Sequence, residues 1–274
     1  MKQLIVRTIT GLVYAALTIA SILISKYTFV VYFGIVVAYT LFEFYRLCKK
    51  GGNKPQFTLG ISTALYLFLA FFLFNFEGFN ATLFFGFVPL LMLIPVIALF
   101  QKQKKPLLNV AFTLLGIVYI ALPLSMLVFI VNPDASQPGN YDPRLLLGLL
   151  LILWANDSGA YIIGSWLGRN KMFEKISPKK TWEGALGGML LAMLLALVYF
   201  NYFNYASIAQ TLILTSLTVI AAILGDLSES LIKRSFGVKD SGAILPGHGG
   251  LLDRFDSMLF AAPVYFVMIT LILN

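Results

Sequence analysis

The sequence is poor in the residues that hold soluble or secreted folds together. It has one cysteine, Cys48, which excludes an internal disulfide framework. It has one histidine, His248, and with a single Cys that excludes a multi-ligand zinc site. Charged residues are only 12% of the 274 positions. Low-complexity stretches, a visible internal repeat and a separate soluble domain are also lacking. What fills the chain instead is hydrocarbon. Apolar residues make up 59% of it, in repeated runs long enough to cross ~30 Å of bilayer core at ~1.5 Å per residue. A soluble globular protein is thereby excluded. The opening MKQLIVRTITGLVYAALTIAS has the positive start and apolar run of a signal peptide. Nothing around Lys26 reads as a cleavage site, so a retained first helix is expected.

The hydropathy pattern predicts an all-α, polytopic integral membrane protein with about nine transmembrane helices. They are expected near 8–25, 28–46, 57–75, 82–100, 108–131, 144–165, 185–203, 208–226 and 256–273. The net charge is +8. In this setting it indicates membrane orientation and attraction to anionic headgroups rather than nucleic acid, because the bases sit in short loops between spans. With the N-terminus cytoplasmic, only Lys26 and Arg144 of the 20 Lys and Arg fall outside. That asymmetry also places both long polar segments, 166–184 and 227–255, on the cytoplasmic side. Residues 1–143 form an N-terminal set of about five helices, and 144–274 the region expected to carry the chemistry.

The densest set of ionisable groups lies between Asp226 and Asp256. The acids are Asp226, Glu229, Asp240, Asp253 and Asp256, the bases Lys233, Arg234, Lys239 and Arg254, and His248 stands among them. Charge beside a bilayer is costly unless it pairs, binds metal or meets solvent. Asp253 and Asp256 are three apart and share a face if the last helix begins near Leu251. Asp226 is expected at the end of the eighth span. Two helix ends with carboxylates suit Mg²⁺, which takes one or two carboxylates plus substrate phosphates. Spacing alone leaves equally open a set of ion pairs with Lys233, Arg234 and Arg254. The turn LPGHGG at 245–250 can present successive N–H groups to an anion, although most such turns are connectors.

A second polar cluster spans 154–184. Asn156, Asp157 and Ser158 come late in the sixth span, where an acid is either a site residue or a helix-packing hydrogen bond. In SPKKTWEG, Lys179 and Lys180 with Ser177 and Thr181 suit phosphate contact or an anionic surface. Elsewhere, Glu43 and Arg46 are expected to pair, and Gly187–Gly188 to allow close helix contact.

The stretch from Ser230 to Asp256 reads S-L-I-K-R-x4-K-D-x-G-x-x-L-P-x-H-G-G-x-x-D-R-x-D. It resembles the signature of the CDP-diacylglycerol synthase (phosphatidate cytidylyltransferase) family. NDSGAY at 156–161 and SPKKTWEG at 177–184 are similar to that family's other shared stretches. The resemblance implies a reaction in phospholipid biosynthesis: CTP and phosphatidic acid give CDP-diacylglycerol and pyrophosphate, with Mg²⁺. It implies that Asp226, Asp253 and Asp256 hold the metal centre, with room for a second cation such as K⁺. Lys233, Arg234, Lys239 and Arg254 become candidate phosphate contacts, with Lys233 and Arg234 in the catalytic set. Lys179 and Lys180 would serve the triphosphate or the lipid headgroup, and Asp157 would be a ligand or an orienter. His248, Gly249 and Gly250 would shape the nucleotide or pyrophosphate pocket. CTP, phosphatidic acid and membrane lipid are the implied partners, nucleic acid is not one, and a homodimer is compatible. A bacterial inner (cytoplasmic) membrane is the expected location. A transporter and a basic lipid-recruiting scaffold are the competing readings; the clustering of charge on one face argues against the first.

Overall fold

The computed structural model describes residues 2–133, 139–244 and 249–273, and the side chains of 2–7 lie outside that description. The helices are α1 (Lys2–Ile24), α2 (Lys26–Lys50), α3 (Phe57–Glu77), α4 (Phe87–Phe100), α5 (Pro106–Gly116), α6 (Leu122–Ser125), α7 (Leu127–Ile130), α8 (Pro143–Leu167), α9 (Trp182–Tyr202), α10 (Ile208–Ser235) and α11 (Leu252–Leu273). Eight described helical stretches are long and apolar enough to cross a membrane. They are α2, α3, Ala81–Phe100, Pro106–Ile130, α8, α9, α10 and α11, and Thr8–Ile24 within α1 is a shorter apolar helix. The protein is therefore an all-α, polytopic integral membrane protein.

Local chemistry explains where the helices start and stop. Ser25 caps α2 through a reciprocal box: the Thr28 N–H donates to Ser25 Oγ at 3.1 Å, and the Ser25 N–H donates to Thr28 Oγ1 at 3.0 Å. α3 ends at Gly78, whose φ of 68° needs a residue without Cβ. The stretch Pro106–Ile130 is broken because Pro123 has no N–H to donate. A π-turn at Ile117–Ala121 precedes it, and the Leu122 N–H reaches back to the Ile117 carbonyl. Two further boundaries differ from expectation. α9 begins at Trp182 rather than near 185, with Thr181 Oγ1 accepting from the Gly184 N–H at 3.2 Å. α10 does not end at Asp226 but continues to Ser235. An i,i+4 pair between Glu229 and Lys233 at 2.6 Å supports the added turns.

The only strands among the described residues form a small antiparallel hairpin, β1 (Lys171–Phe173) and β2 (Ser177–Thr181), between α8 and α9. It was not expected from the sequence. Gly168 and Pro178 stop helix from continuing through the segment, and Glu183 then secures it. The Glu183 carboxylate accepts from the Arg169 and Asn170 N–H groups, each at 3.2 Å, and from Asn170 Nδ2 at 2.7 Å.

The chain divides into two compact units. One comprises the chain up to Tyr141 together with Ser235–Phe255; the other comprises Asp142–Arg234 and the chain from Asp256 onward. In the first, buried polar side chains tie broken helices together. Asn75 Nδ2 donates to the Val128 and Asn132 carbonyls, both at 3.0 Å, and the Tyr45 hydroxyl donates to the Thr113 carbonyl at 2.8 Å. In the second, α8 and α9 pack through small residues. A Cβ on Gly159 would sit 2.9 Å from Gly188 Cα and 3.0 Å from the Gly187 carbonyl oxygen. The close contact expected at Gly187–Gly188 is thus present.

Candidate active site

The second unit holds a cavity of about 420 Å³, within the range of small-ligand sites. Asp157 and Tyr161 line it from α8, Lys171, Lys179 and Lys180 from the hairpin, and Asp226 from α10. Its floor includes Ala222 and Ile223. The lining thus combines charged and apolar residues. Trp166 at the end of α8 and Trp182 at the start of α9 flank the hairpin and are 83% and 55% exposed. Exposed indoles of this kind suit a membrane–water boundary.

Lys180 Nζ lies 2.6 Å from Asp226 Oδ2, and both side chains are less than a third exposed. The sequence placed these two residues in different clusters. Gly225 explains how the neighbouring helix joins them. A Cβ there would sit 2.7 Å from the Asp256 carbonyl oxygen and 3.3 Å from that of Ser257. Glycine therefore lets α10 approach α11 at the level of Asp226 and Asp256. Asp256 feels the negative charges of Asp226 and Asp157 and the positive charge of Lys233. Two carboxylates acting on a third call for compensating cations, and Lys180 is one.

Lys233 is buried, and its ammonium meets the buried Glu229. Arg234 is exposed, with Nε 3.5 Å from the Ile176 carbonyl in the hairpin. Lys179 is exposed at the cavity wall. His248 lies outside the described residues.

The first unit contains the rest of the signature. Lys239 and Arg254 are exposed there. α11 starts at Leu252, so Asp253 stands in its first turn, three residues before Asp256. Asp253 folds back over the loop before it. Its Oδ2 accepts from the Gly250 N–H at 2.7 Å and from the Ser241 N–H at 3.1 Å. Gly249 takes φ of +83°, and a Cβ there would lie 2.6 Å from Asp253 Oδ2. Gly249 and Gly250 thus surround a carboxylate in this structure.

Glu43 requires a correction. It does not pair with Arg46, whose guanidinium lies 5.7 Å from the Phe42 ring centroid. Glu43 is 1% exposed and points into the signature loop. Its Oε2 accepts from the Leu252 N–H at 2.8 Å and from Ser241 Oγ at 3.2 Å. The sequence signal was a carboxylate amid the buried residues Thr40, Leu41 and Phe44 of α2; the i,i+3 spacing to Arg46 pointed elsewhere.

No group of three His, Cys, Asp or Glu forms a ready-made metal cage among the described residues. The donor set in the second unit nevertheless fits a hard cation. Mg²⁺ uses one or two carboxylates and completes its shell with waters and substrate phosphates. Asp226 and Asp256 supply two carboxylates, with Asp157 acting on the same place.

Comparison with known proteins identifies the family. The model of the Cytidylyltransferase family matches residues 5–272. The phosphatidate cytidylyltransferase of Bacillus subtilis is 32% identical over 275 residues, covering 99% of this chain and 98% of the relative. That of Synechocystis is 34% identical over 292 residues, covering 97% of each. A third, from Staphylococcus aureus, is 38% identical over 174 residues, or 62% of each chain. With a match that runs nearly end to end and a cavity that brings together Lys180 and Asp226, this chain belongs to the Cytidylyltransferase family.

Proposed function

We propose that the protein is a phosphatidate cytidylyltransferase of a bacterial cytoplasmic membrane. It joins CTP to phosphatidic acid and releases pyrophosphate. The observation that carries this reading is the cavity of the second unit, where Lys179, Lys180, Asp157 and Asp226 meet beside apolar wall residues in a member of this family. A lipid phosphate and a nucleoside triphosphate need cationic groups beside a surface that tolerates acyl chains.

In the reaction, a phosphate oxygen of phosphatidic acid forms a bond to the α-phosphorus of CTP. The bond from that phosphorus to the oxygen bridging it to the β-phosphorus breaks, and pyrophosphate leaves. The attacking oxygen is already ionised, so no strong base is required. The barrier lies in bringing two polyanions together at low dielectric. Lys179 and Lys180 offset that repulsion, and Lys171 adds to the positive wall. Fixed groups of this kind contribute by positioning and charge stabilisation. Asp226 and Asp256 would hold Mg²⁺. When bound, Mg²⁺ polarises the α-phosphate and stabilises the departing pyrophosphate. Lys233 acts on Asp256 from its pair with Glu229.

The test is purified protein in detergent with CTP and phosphatidic acid, with and without a chelator. Pyrophosphate and CDP-diacylglycerol should form in equal amounts, and chelation should abolish both. Absence of CTP-dependent conversion in the presence of Mg²⁺ overturns the reading, and turnover undiminished by chelation removes the metal from it.

A further inference from the structure

We infer that Glu43, a residue of α2 far from the signature in sequence, is a positioning residue that latches the signature loop and thereby sets Asp253. The inference rests on the proposed reaction and adds a member to its machinery from the N-terminal part of the chain.

The geometry is a relay through one serine. Ser241 donates its hydroxyl to Glu43 Oε2 and its N–H to the Asp253 carboxylate. Glu43 Oε2 also takes the Leu252 N–H, the first residue of α11. One buried carboxylate therefore fixes both the loop and the start of the helix from which Asp253 projects. Leu252 opens α11 with an N–H that has no partner within the helix, and Glu43 supplies one with the sign that a helix N-terminus favours.

The loop is shaped to admit this carboxylate. A Cβ at Gly250 would lie 2.5 Å from Glu43 Oε2, and one at Gly242 would collide with Glu43 Oε1. Gly242 is thus explained by a side chain that the signature does not contain, and Gly250 by that side chain together with the Ser241 hydroxyl. A buried acid among apolar neighbours is costly, and a packing role alone would be met by an apolar residue. Glu43 touches no atom of the proposed reaction. It acts through Ser241 and Leu252 on the direction of the Asp253 side chain, as outer partners do for ligating carboxylates.

The experiment compares wild type with Glu43→Gln, Glu43→Ala and Ser241→Ala. Hydrogen exchange is read at the 241–244 and 249–252 amides, and turnover is read against CTP and Mg²⁺. Glu43→Ala should speed exchange at these amides while the other helices stay protected. It should also lower kcat by roughly 10- to 100-fold, the usual cost of losing an outer partner of a ligand, and raise the Mg²⁺ concentration for half-maximal rate. Glu43→Gln keeps an oxygen for Leu252 and should fall between. Ser241→Ala should reproduce the Mg²⁺ shift with less loosening at Leu252. Unchanged exchange and unchanged Mg²⁺ dependence in Glu43→Ala overturn the latch. So does a uniform loss of protection throughout the chain in both Glu43 variants, which marks a packing role. If wild type itself does not turn over CTP, the proposed reaction fails while the exchange comparison still decides the latch.

Discussion

At the scale of single residues, the arrangement turns on carboxylates and what neutralises them. Asp226 has Lys180 at 2.6 Å, and Lys180 reaches it from the strand that follows the hairpin turn. If Lys180 neutralises phosphate during turnover, Lys180→Met should lower kcat by about 10²-fold, in the range for removing one preorganised charge-stabilising group. Circular dichroism and detergent stability should stay close to wild type, because a partly exposed ion pair contributes little to folding. A variant with wild-type turnover would take Lys180 out of the reaction. Glu43 shows the limit of residue-by-residue reading. Its spacing to Arg46 obeys a sound helical rule, yet burial decided the matter. Arg46 lies beside the Phe42 ring, while Glu43 faces N–H and O–H donors inside the loop.

At the scale of elements, helix identity was legible because each span carries its own apolar run and, often, its own cap. Beyond the apolar span ending at Asp226, Glu229, Ser230 and Lys233 keep helical spacing, and α10 does continue to Ser235. Glu229 and Lys233 bury one another one turn apart. The hairpin was missed because its five-residue and three-residue strands have no alternating apolar pattern to announce them. The start of α8 offers a test of local electrostatics. Asp142 caps the helix, accepts from the Arg144 N–H at 3.0 Å and meets the Arg144 guanidinium and the Tyr205 hydroxyl. Partial burial pushes its carboxyl up, but the Arg144 side chain, the Tyr205 hydroxyl and the Arg144 N–H outweigh that and hold it below the usual carboxylate range. A carboxyl lowered by folding stabilises above its unfolded pKa of ~3.9 and loses that contribution as pH falls through the folded value. Asp142→Ala should therefore cost ~1 kcal/mol at pH 7, as for other N-caps. The difference from wild type should shrink as pH is lowered below 4. Thermal unfolding in detergent at the two pH values measures it; a constant difference would remove the cap's charge from the account.

At the scale of the whole molecule, the distribution of bases supports an N-terminus in the cytoplasm. The two bases assigned to the outer side are both engaged locally. Lys26 pairs with Glu77 at 2.9 Å, and Arg144 with Asp142 at 2.8 Å. On the expected orientation, the side carrying these two bases has little unbalanced positive charge, in keeping with a cytoplasmic N-terminus. Cysteines placed at the exposed positions Asn80 and Lys104 should label oppositely in intact cells: Asn80→Cys with an impermeant maleimide from outside, Lys104→Cys only after permeabilisation. The native Cys48 is buried and can stay in place. The reverse pattern would invert the topology and move the proposed site away from cytosolic CTP. Helical class, charge asymmetry and the family signature are properties of neighbouring residues along a line, so the bare chain was enough to decide them. The Glu43–Leu252 hydrogen bond crosses 209 positions, and the Lys180–Asp226 pair and the glycine-permitted approach of α10 to α11 also join distant segments. Those depend on which buried surfaces meet, and folding in three dimensions was needed to bring the carboxylates to the donors that fix them.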